Sequence, residues 1–353
     1  MLYTYKYTEN HRIESLQKYI EFFFETMFRE EETTFTDNLI HENFKGIVNS
    51  CTNLGTYLKN VFEEYKKLDK QSRDCVIEGF KNNNLIDKLC CGEVEPIHYA
   101  DISKPLSEYL KELFIYLYDG VLNTSAYIFN HSNMKEHFDE SRQLNKKYKY
   151  CPFCGLYRLN SNFDIKRDEY DHYLPKTKYP FNSVNFRNLV PICNECNTKY
   201  KKAKDPLFKD DDKSKRRKVF YPYDTIMDNM NFKLLIVSQG ESYITDDDLS
   251  IEITSNLNRY EEIESWDDIF EIKKRYVAEI KDKINMWLES FIIHIYKKAK
   301  DRQGFDFNRL LDEYLSDLDY LRFDEQNFLK RAAFEYLAKE YDFEKILKDT
   351  ISA

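Results

Sequence analysis

The chain has 353 residues, enough for two or three domains with their own cores, and its 42% hydrophobic and 33% charged residues exclude a disordered chain. Only 8 Gly and 8 Pro occur, which disfavours turn-dense sandwiches and glycine-cornered barrels and favours long helices. The net charge of −9 is unevenly spread: residues 145 to 218 hold 19 Lys and Arg against 9 Asp and Glu, a net +10 that leaves −19 for the remainder. An acidic total therefore does not exclude a phosphate-bearing partner for the middle of the chain.

The opening residues MLYTYKYTENHRIE have neither a basic n-region nor an apolar h-region, and no apolar run reaches the length of a bilayer. The expectation is a cytoplasmic protein with no membrane contact. In a reducing compartment, closely spaced members of its 8 cysteines read as metal ligands rather than disulfides.

Residues 1 to 145 read as a helical N-terminal domain. Ile13, Leu16, Tyr19, Ile20, Phe23 and Met27 fall on one stripe of a helix over 11 to 28, and further helices are expected at 54 to 69, 70 to 82, 106 to 119 and 133 to 147. Cys51, Cys75, Cys90 and Cys91 lack CxxC pairing or a His at ligand spacing and read as small buried hydrophobes. Residues 146 to 208 form the basic middle, and KDDDKSKRRK, 209 to 218, reads as an exposed basic linker.

Residues 219 to 353 read as a C-terminal domain. KLLIVS (233 to 238) and SIEITS (250 to 255) are β-prone and are expected to pair as a hairpin around QGESYITDDD. From Ser265, a single helix is expected to hold Ile269, Ile272, Tyr276, Ile280, Ile284, Trp287, Phe291 and Ile295 on one face, with Ser265 and Asp268 as its capping box. Helices near 306 to 319 and 324 to 341 complete a fold expected to be α+β and predominantly α-helical.

The chemistry concentrates in the basic middle. Cys151-Pro152-Phe153-Cys154 and Cys193-Asn194-Glu195-Cys196 are two CxxC pairs, and four thiolates at this spacing make a tetrahedral zinc site. A complete set of four cysteine ligands leaves no open coordination position, so Zn2+ there would staple the fold and not catalyse. Between and beside the pairs lie Asp171-His172 in DHYLP, Asn188 in FRNLVP, and Asn197 directly after Cys196.

CPFC, DHYLP, NL and CNECN, in this order, resemble the HNH or ββα-metal endonuclease superfamily, over about residues 146 to 205. Two departures stand out. Asn197 occupies the third signature position, where many members have His, and Tyr200 stands where a Lys commonly follows three residues later, with Lys199, Lys201 and Lys202 around it. The resemblance implies a small zinc-stapled ββα-metal module between helical flanks, products with a 5′ phosphate and 3′ hydroxyl, and a loop-bracing role for Asn188.

Phosphodiester hydrolysis needs an activated water, neutralised phosphate charge and a stabilised leaving oxygen. His172 is the candidate base, because neutral imidazole accepts a proton near pH 7. Asp171 and Asn197 offer a carboxylate and an amide oxygen, a donor set that suits Mg2+ or Mn2+. Successive residues of a regular strand point to opposite faces, so Asp171 and His172 belong where the strand ends, consistent with Leu174-Pro175 just beyond.

Lys176, Lys178, Arg187, Lys199, Lys201, Lys202 and Lys204 cluster around this stretch in sequence and are the candidate phosphate contacts. Tyr173, Tyr179 and Phe181 are expected to pack on the zinc lobe rather than stack on bases, and Asp164, Asp168 and Glu169 to form a solvated edge. The resulting expectation is a metal-dependent endonuclease acting on nucleic acid, DNA favoured over RNA. Its flanks would bind a protein partner such as an ATPase or sensor, in the manner of a phage-defence or restriction effector. The alternative is a non-catalytic zinc-stapled module that binds nucleic acid or protein. Oligomeric state is not legible.

Overall fold

The computed structural model describes residues 1–161, 163–210, 212–238 and 248–352. They form two compact units: residues 4–147 with 159–226, and residues 1–3 with 148–158 and 227–353. The division falls differently from the sequence-based boundaries. Most of the 146 to 208 stretch shares a unit with the N-terminal helices, because Tyr170, Phe181, Val184, Phe186 and Leu189 enter the same hydrophobic core as Phe24, Phe80 and Phe114.

In the first unit, α1 (Ser15–Met27), α2 (Glu42–Ser50), α3 (Leu54–Lys67), α4 (Lys70–Asn83), α5 (Ile86–Cys91), α6 (Lys104–Asp119), α7 (Ser125–His131) and α8 (Met134–Leu144) precede a short hairpin. The apolar stripe of α1 is buried, and Asp69 caps α4 by accepting the Ser72 N–H at 2.8 Å. Pro105 stands in the first turn of α6, where its missing N–H costs nothing, and Leu106, Leu110, Leu113, Phe114 and Leu117 turn inward. Cys51 and Cys90 are buried as expected, whereas Cys75 and Cys91 are exposed. The hairpin consists of β1 (Tyr170–His172) and β2 (Leu189–Pro191), antiparallel, with His172 opposite Leu189 and Asp171 opposite Val190.

The stretch expected as an exposed basic linker is mostly exposed, yet it is tied down. Phe208 bridges Arg216, and Arg217 is buried, donating to the Pro206 and Asp205 carbonyls at 2.9 and 2.8 Å. Lys213 makes an ion pair with Asp101. Backbone carbonyls absorb the guanidinium donors here, which a composition-based reading cannot anticipate.

In the second unit, β3 (Met230–Ser238) and β4 (Asp248–Ser255) pair antiparallel, burying Met230, Phe232, Leu234, Leu249, Ile251 and Ile253 on one face. Residues 239–247, most of the expected QGESYITDDD turn, lie outside the described residues. The single helix expected from Ser265 is two helices, Tyr260–Phe270 and Ile272–Phe291, separated by Glu271 at φ 53°. Ser265 is inside the first of them and starts neither. The break is stabilised by Asp267, whose carbonyl accepts the Glu271 N–H at 2.7 Å and whose carboxylate accepts the Lys273 N–H at 2.8 Å. Helices Phe307–Tyr320 and Asn327–Glu340 follow as expected, and Phe343–Ser352 adds one the sequence reading did not include. Residues 148–158 pack in this unit, where Phe153 O accepts the Trp266 indole N–H at 2.7 Å.

Candidate functional site

The first CxxC is followed by Gly155 at φ +66°, whose N–H returns to Cys151 O at 2.7 Å and closes a tight knuckle. A Cβ there would lie 2.3 Å from Leu2 Cδ1, so the position demands glycine twice over. In the second CxxC, the Cys196 N–H donates to Cys193 Sγ at 3.5 Å, orienting that sulfur. All four cysteines are buried, and the sulfurs of Cys151, Cys154, Cys193 and Cys196 lie within 4.8 Å of one another. Zinc–sulfur bonds of about 2.3 Å in a tetrahedron place sulfurs nearly 4 Å apart, so the set is positioned to hold a metal ion and its chemistry suits zinc. Among the described residues it is the grouping of three or more His, Cys, Asp or Glu side chains with metal-binding spacing.

β1 ends at His172, and the chain beyond it is held by Asn188. The Asn188 side chain accepts the Leu174 N–H at 2.7 Å and donates to Leu174 O at 3.0 Å, and Asn188 O accepts the Tyr173 N–H at 2.8 Å. Asn188 is fully buried, so these bonds satisfy groups that would otherwise be desolvated without partners.

His172 is 9% exposed, and its Nε2 lies 2.9 Å from the carbonyl oxygen of Ser183. A carbonyl only accepts, so Nε2 carries the proton and the lone pair is on Nδ1. Burial pushes the imidazole down to about 3, with the Ser183 hydrogen bond opposing it and the Lys176 and Lys201 charges adding to it. The ring is therefore neutral at pH 7. Tyr118 packs edge-on against it, ring centroids 4.4 Å apart.

Asp171 has different neighbours, as the alternation of a strand requires. Its Oδ1 and Oδ2 lie 3.0 and 2.9 Å from Lys201 Nζ, which also donates to His172 O at 2.9 Å. Burial pushes the Asp171 carboxyl upward, and the Lys201 ammonium pulls it back. Oδ2 is buried and faces the Lys201 ammonium as an ion pair rather than through a hydrogen bond. A divalent cation at this oxygen would have to displace the Lys201 ammonium, which lies 2.9 Å from it.

Lys201 is 1% exposed, so it is not the surface phosphate contact expected from the sequence. Its placement follows from the segment Glu195–Lys201, which is π-helical and closes with the Lys202 N–H on Asn197 O at 2.9 Å. A π turn takes one residue more than an α turn. The residue four beyond Asn197 thus comes round to roughly where the third would stand on an α-helix, which turns Lys201 inward. Asn197 itself is half-buried in this turn, with its backbone N–H on Cys193 O at 3.0 Å.

Other candidate phosphate contacts already have anionic partners. Lys176 binds both Asp119 oxygens, at 2.8 and 2.9 Å, Arg187 lies 3.3 Å from Glu9 and over the Tyr7 ring, and Lys199 lies 2.8 Å from Glu195. Lys178 is half-buried, while Lys202 and Lys204 are exposed. Tyr173, Tyr179 and Phe181 are buried, which leaves no face for a base to stack on. Asp168 and Asp164 accept the Asn160 and Ser161 N–H groups at 2.5 Å each, turn contacts of a polar edge. Sequence reasoning missed Tyr118, Ser183 and Gly155; the CxxCG pattern was a readable signal for the last alone.

A 60-residue stretch of the chain is 40% identical to Septu protein PtuB of Bacillus thuringiensis, spanning 16% of this chain and 22% of that protein. The match thus covers about a fifth of that relative's length. No family model matches the chain, and no solved structure matches it. Among the described residues no helix is long and apolar enough to cross a membrane.

Proposed function

We propose that the protein is a metal-dependent endonuclease that hydrolyses phosphodiester bonds in nucleic acid, with DNA the favoured substrate. The observation that carries this reading is His172: a neutral imidazole at the end of a strand, protonated on Nε2 by its bond to Ser183 O, with Nδ1 left to take a proton from water. An approaching phosphodiester raises the proton affinity of the ring by its opposite charge. Asp171 and Asn197 would hold Mg2+ or Mn2+, which supplies charge neutralisation at the phosphate and the leaving oxygen. Asn188 keeps the chain after β1 in place, and the four cysteines hold structural zinc.

The biological role we assign is a phage-defence or restriction effector working with a protein partner such as an ATPase or sensor, on the strength of the superfamily resemblance. One observation favours a second reading, a zinc-stapled binding module without catalysis: the Lys201 ammonium already stands against Asp171. Incubation of the purified protein with supercoiled plasmid, single-stranded DNA and RNA, with Mg2+ or Mn2+ and with a chelator, separates the two. The nuclease reading expects nicking that needs the divalent ion and leaves 5′ phosphates. Retention of nucleic acid in chelator, with no scission on adding either ion, would establish the binding module.

A further inference from the structure

Part of the surroundings of His172 comes from outside the stretch that carries the superfamily resemblance. Helix α6 ends against the site, and three of its residues grip three different points around the imidazole. The Phe114 carbonyl accepts the Ser183 hydroxyl at 2.8 Å, and Ser183 O is the acceptor of His172 Nε2. The Tyr118 ring stands on the His172 ring at 68°. Asp119 holds Lys176, whose ammonium lies 4.6 Å from the Tyr118 ring centroid. The Ser183 loop is itself fixed to the helices: Asn182 donates to Asn83 O at 3.3 Å, and Phe181 packs among Phe24, Phe80 and Phe114 at φ +81°.

A single hydrogen bond from Nε2 leaves an imidazole free to swing about it. An edge-on aromatic ring removes that freedom, since rotation of either ring drives it into the other. We propose that Tyr118 is a positioning residue that fixes the orientation of His172 and so keeps its Nε2–H on Ser183 O, and that α6 thereby makes the helical region part of the catalytic apparatus. The proposal deepens the nuclease reading and rests on it for its catalytic consequence, though not for its structural one. Small displacements of a reacting group cost up to about a hundredfold in rate. Loss of the Tyr118 ring is accordingly expected to reduce kcat by roughly tenfold or more with KM little changed.

The test combines kinetics with a spectroscopic signature. Tyr118→Leu removes the ring, Tyr118→Phe keeps it, and Ser183→Ala severs the Phe114 link with the ring intact. Histidine-15N-labelled protein, with His172 assigned by comparison with His172→Ala, is expected to show one neutral Nε2–H tautomer in wild type and Tyr118→Phe. Tyr118→Leu and Ser183→Ala are expected to show mixed or exchange-broadened tautomers at wild-type zinc content and melting temperature. If Tyr118→Leu does not fold, Tyr118→Met, which also removes the ring, decides by the same signature. An unchanged His172 signal in the folded variant overturns the proposal whatever the nuclease assay gives. A changed signal in a protein whose wild type cuts no nucleic acid upholds the positioning and sinks the nuclease reading. Cleavage by Tyr118→Leu at the wild-type kcat overturns the catalytic part.

Discussion

Replacing Lys201 with methionine is the sharpest perturbation of the site. The lysine and Asp171 side chains are 1% and 7% exposed and contact each other through both carboxylate oxygens, and the same ammonium donates to His172 O. Methionine fills most of the volume but leaves a buried carboxylate without its counter-ion and a buried carbonyl without its donor. Breaking a buried pair on one side costs about 3–5 kcal/mol. Asp171 can relieve part of this by taking a proton, and its carboxyl is already pushed upward by burial, so about 3 kcal/mol is expected. Urea denaturation of wild type, Lys201→Met, Asp171→Asn and the double variant gives the pairwise coupling directly. The coupling should be about 1–3 kcal/mol, with the double variant more stable than the sum of the singles implies. A Lys201→Met protein within about 0.5 kcal/mol of wild type, the range of an ordinary surface change, or strict additivity in the cycle, would refute the placement of Lys201 as a buried counter-ion.

Cys196→Ser is expected to lower bound zinc from one ion per chain and to depress the melting temperature, as strong chelation of the wild type should; elemental analysis and calorimetry check both. His137 gives a pH signature. Its Nδ1 meets the Tyr170 hydroxyl at 2.7 Å, the Phe186 and His11 rings pack on it at 4.5 and 4.9 Å, and burial, with a smaller push from His11, lowers it to about 3. Because the folded value lies below the unfolded one, its stabilising effect is complete above about pH 6.5 and is lost as pH falls toward 3, near 2 kcal/mol by pH 5. Urea titrations at pH 7.5 and 5 should show that loss, and His137→Gln should reduce it. Asn188→Ala removes both side-chain bonds to Leu174 and leaves its buried N–H and C=O without those partners, a cost of about 2–4 kcal/mol measurable by the same denaturation.

The parts of this protein that were legible in the sequence are those that obey local rules. CxxC spacing brings together sulfurs by geometry alone, and the α1 stripe follows the helical period. What was not legible either departs locally from the regular helical period or depends on partners far away in the chain. The helix break at Glu271 rests on Asp267 capturing two N–H groups, where the apolar period runs on unbroken through both helices. Lys201 looks like one more surface lysine until a π turn, invisible to a pattern based on 3.6 residues, carries it inside. Part of the +10 counted for the basic window is offset by acids such as Asp119, Glu9 and Asp101, which sequence distance hides. Tyr118 lies 54 residues before the imidazole it packs on, and nothing local connects them.

The central claim is that His172 takes the proton from water in a divalent-ion-dependent cleavage. Single-turnover cutting of the best substrate by wild type and His172→Ala, each checked for zinc content and melting temperature, tests it most directly. The account expects the variant to keep its zinc and fold and to lose at least about a hundredfold in cleavage rate, as removal of a general base does. A zinc-loaded, folded His172→Ala protein that cuts as fast as wild type would contradict it.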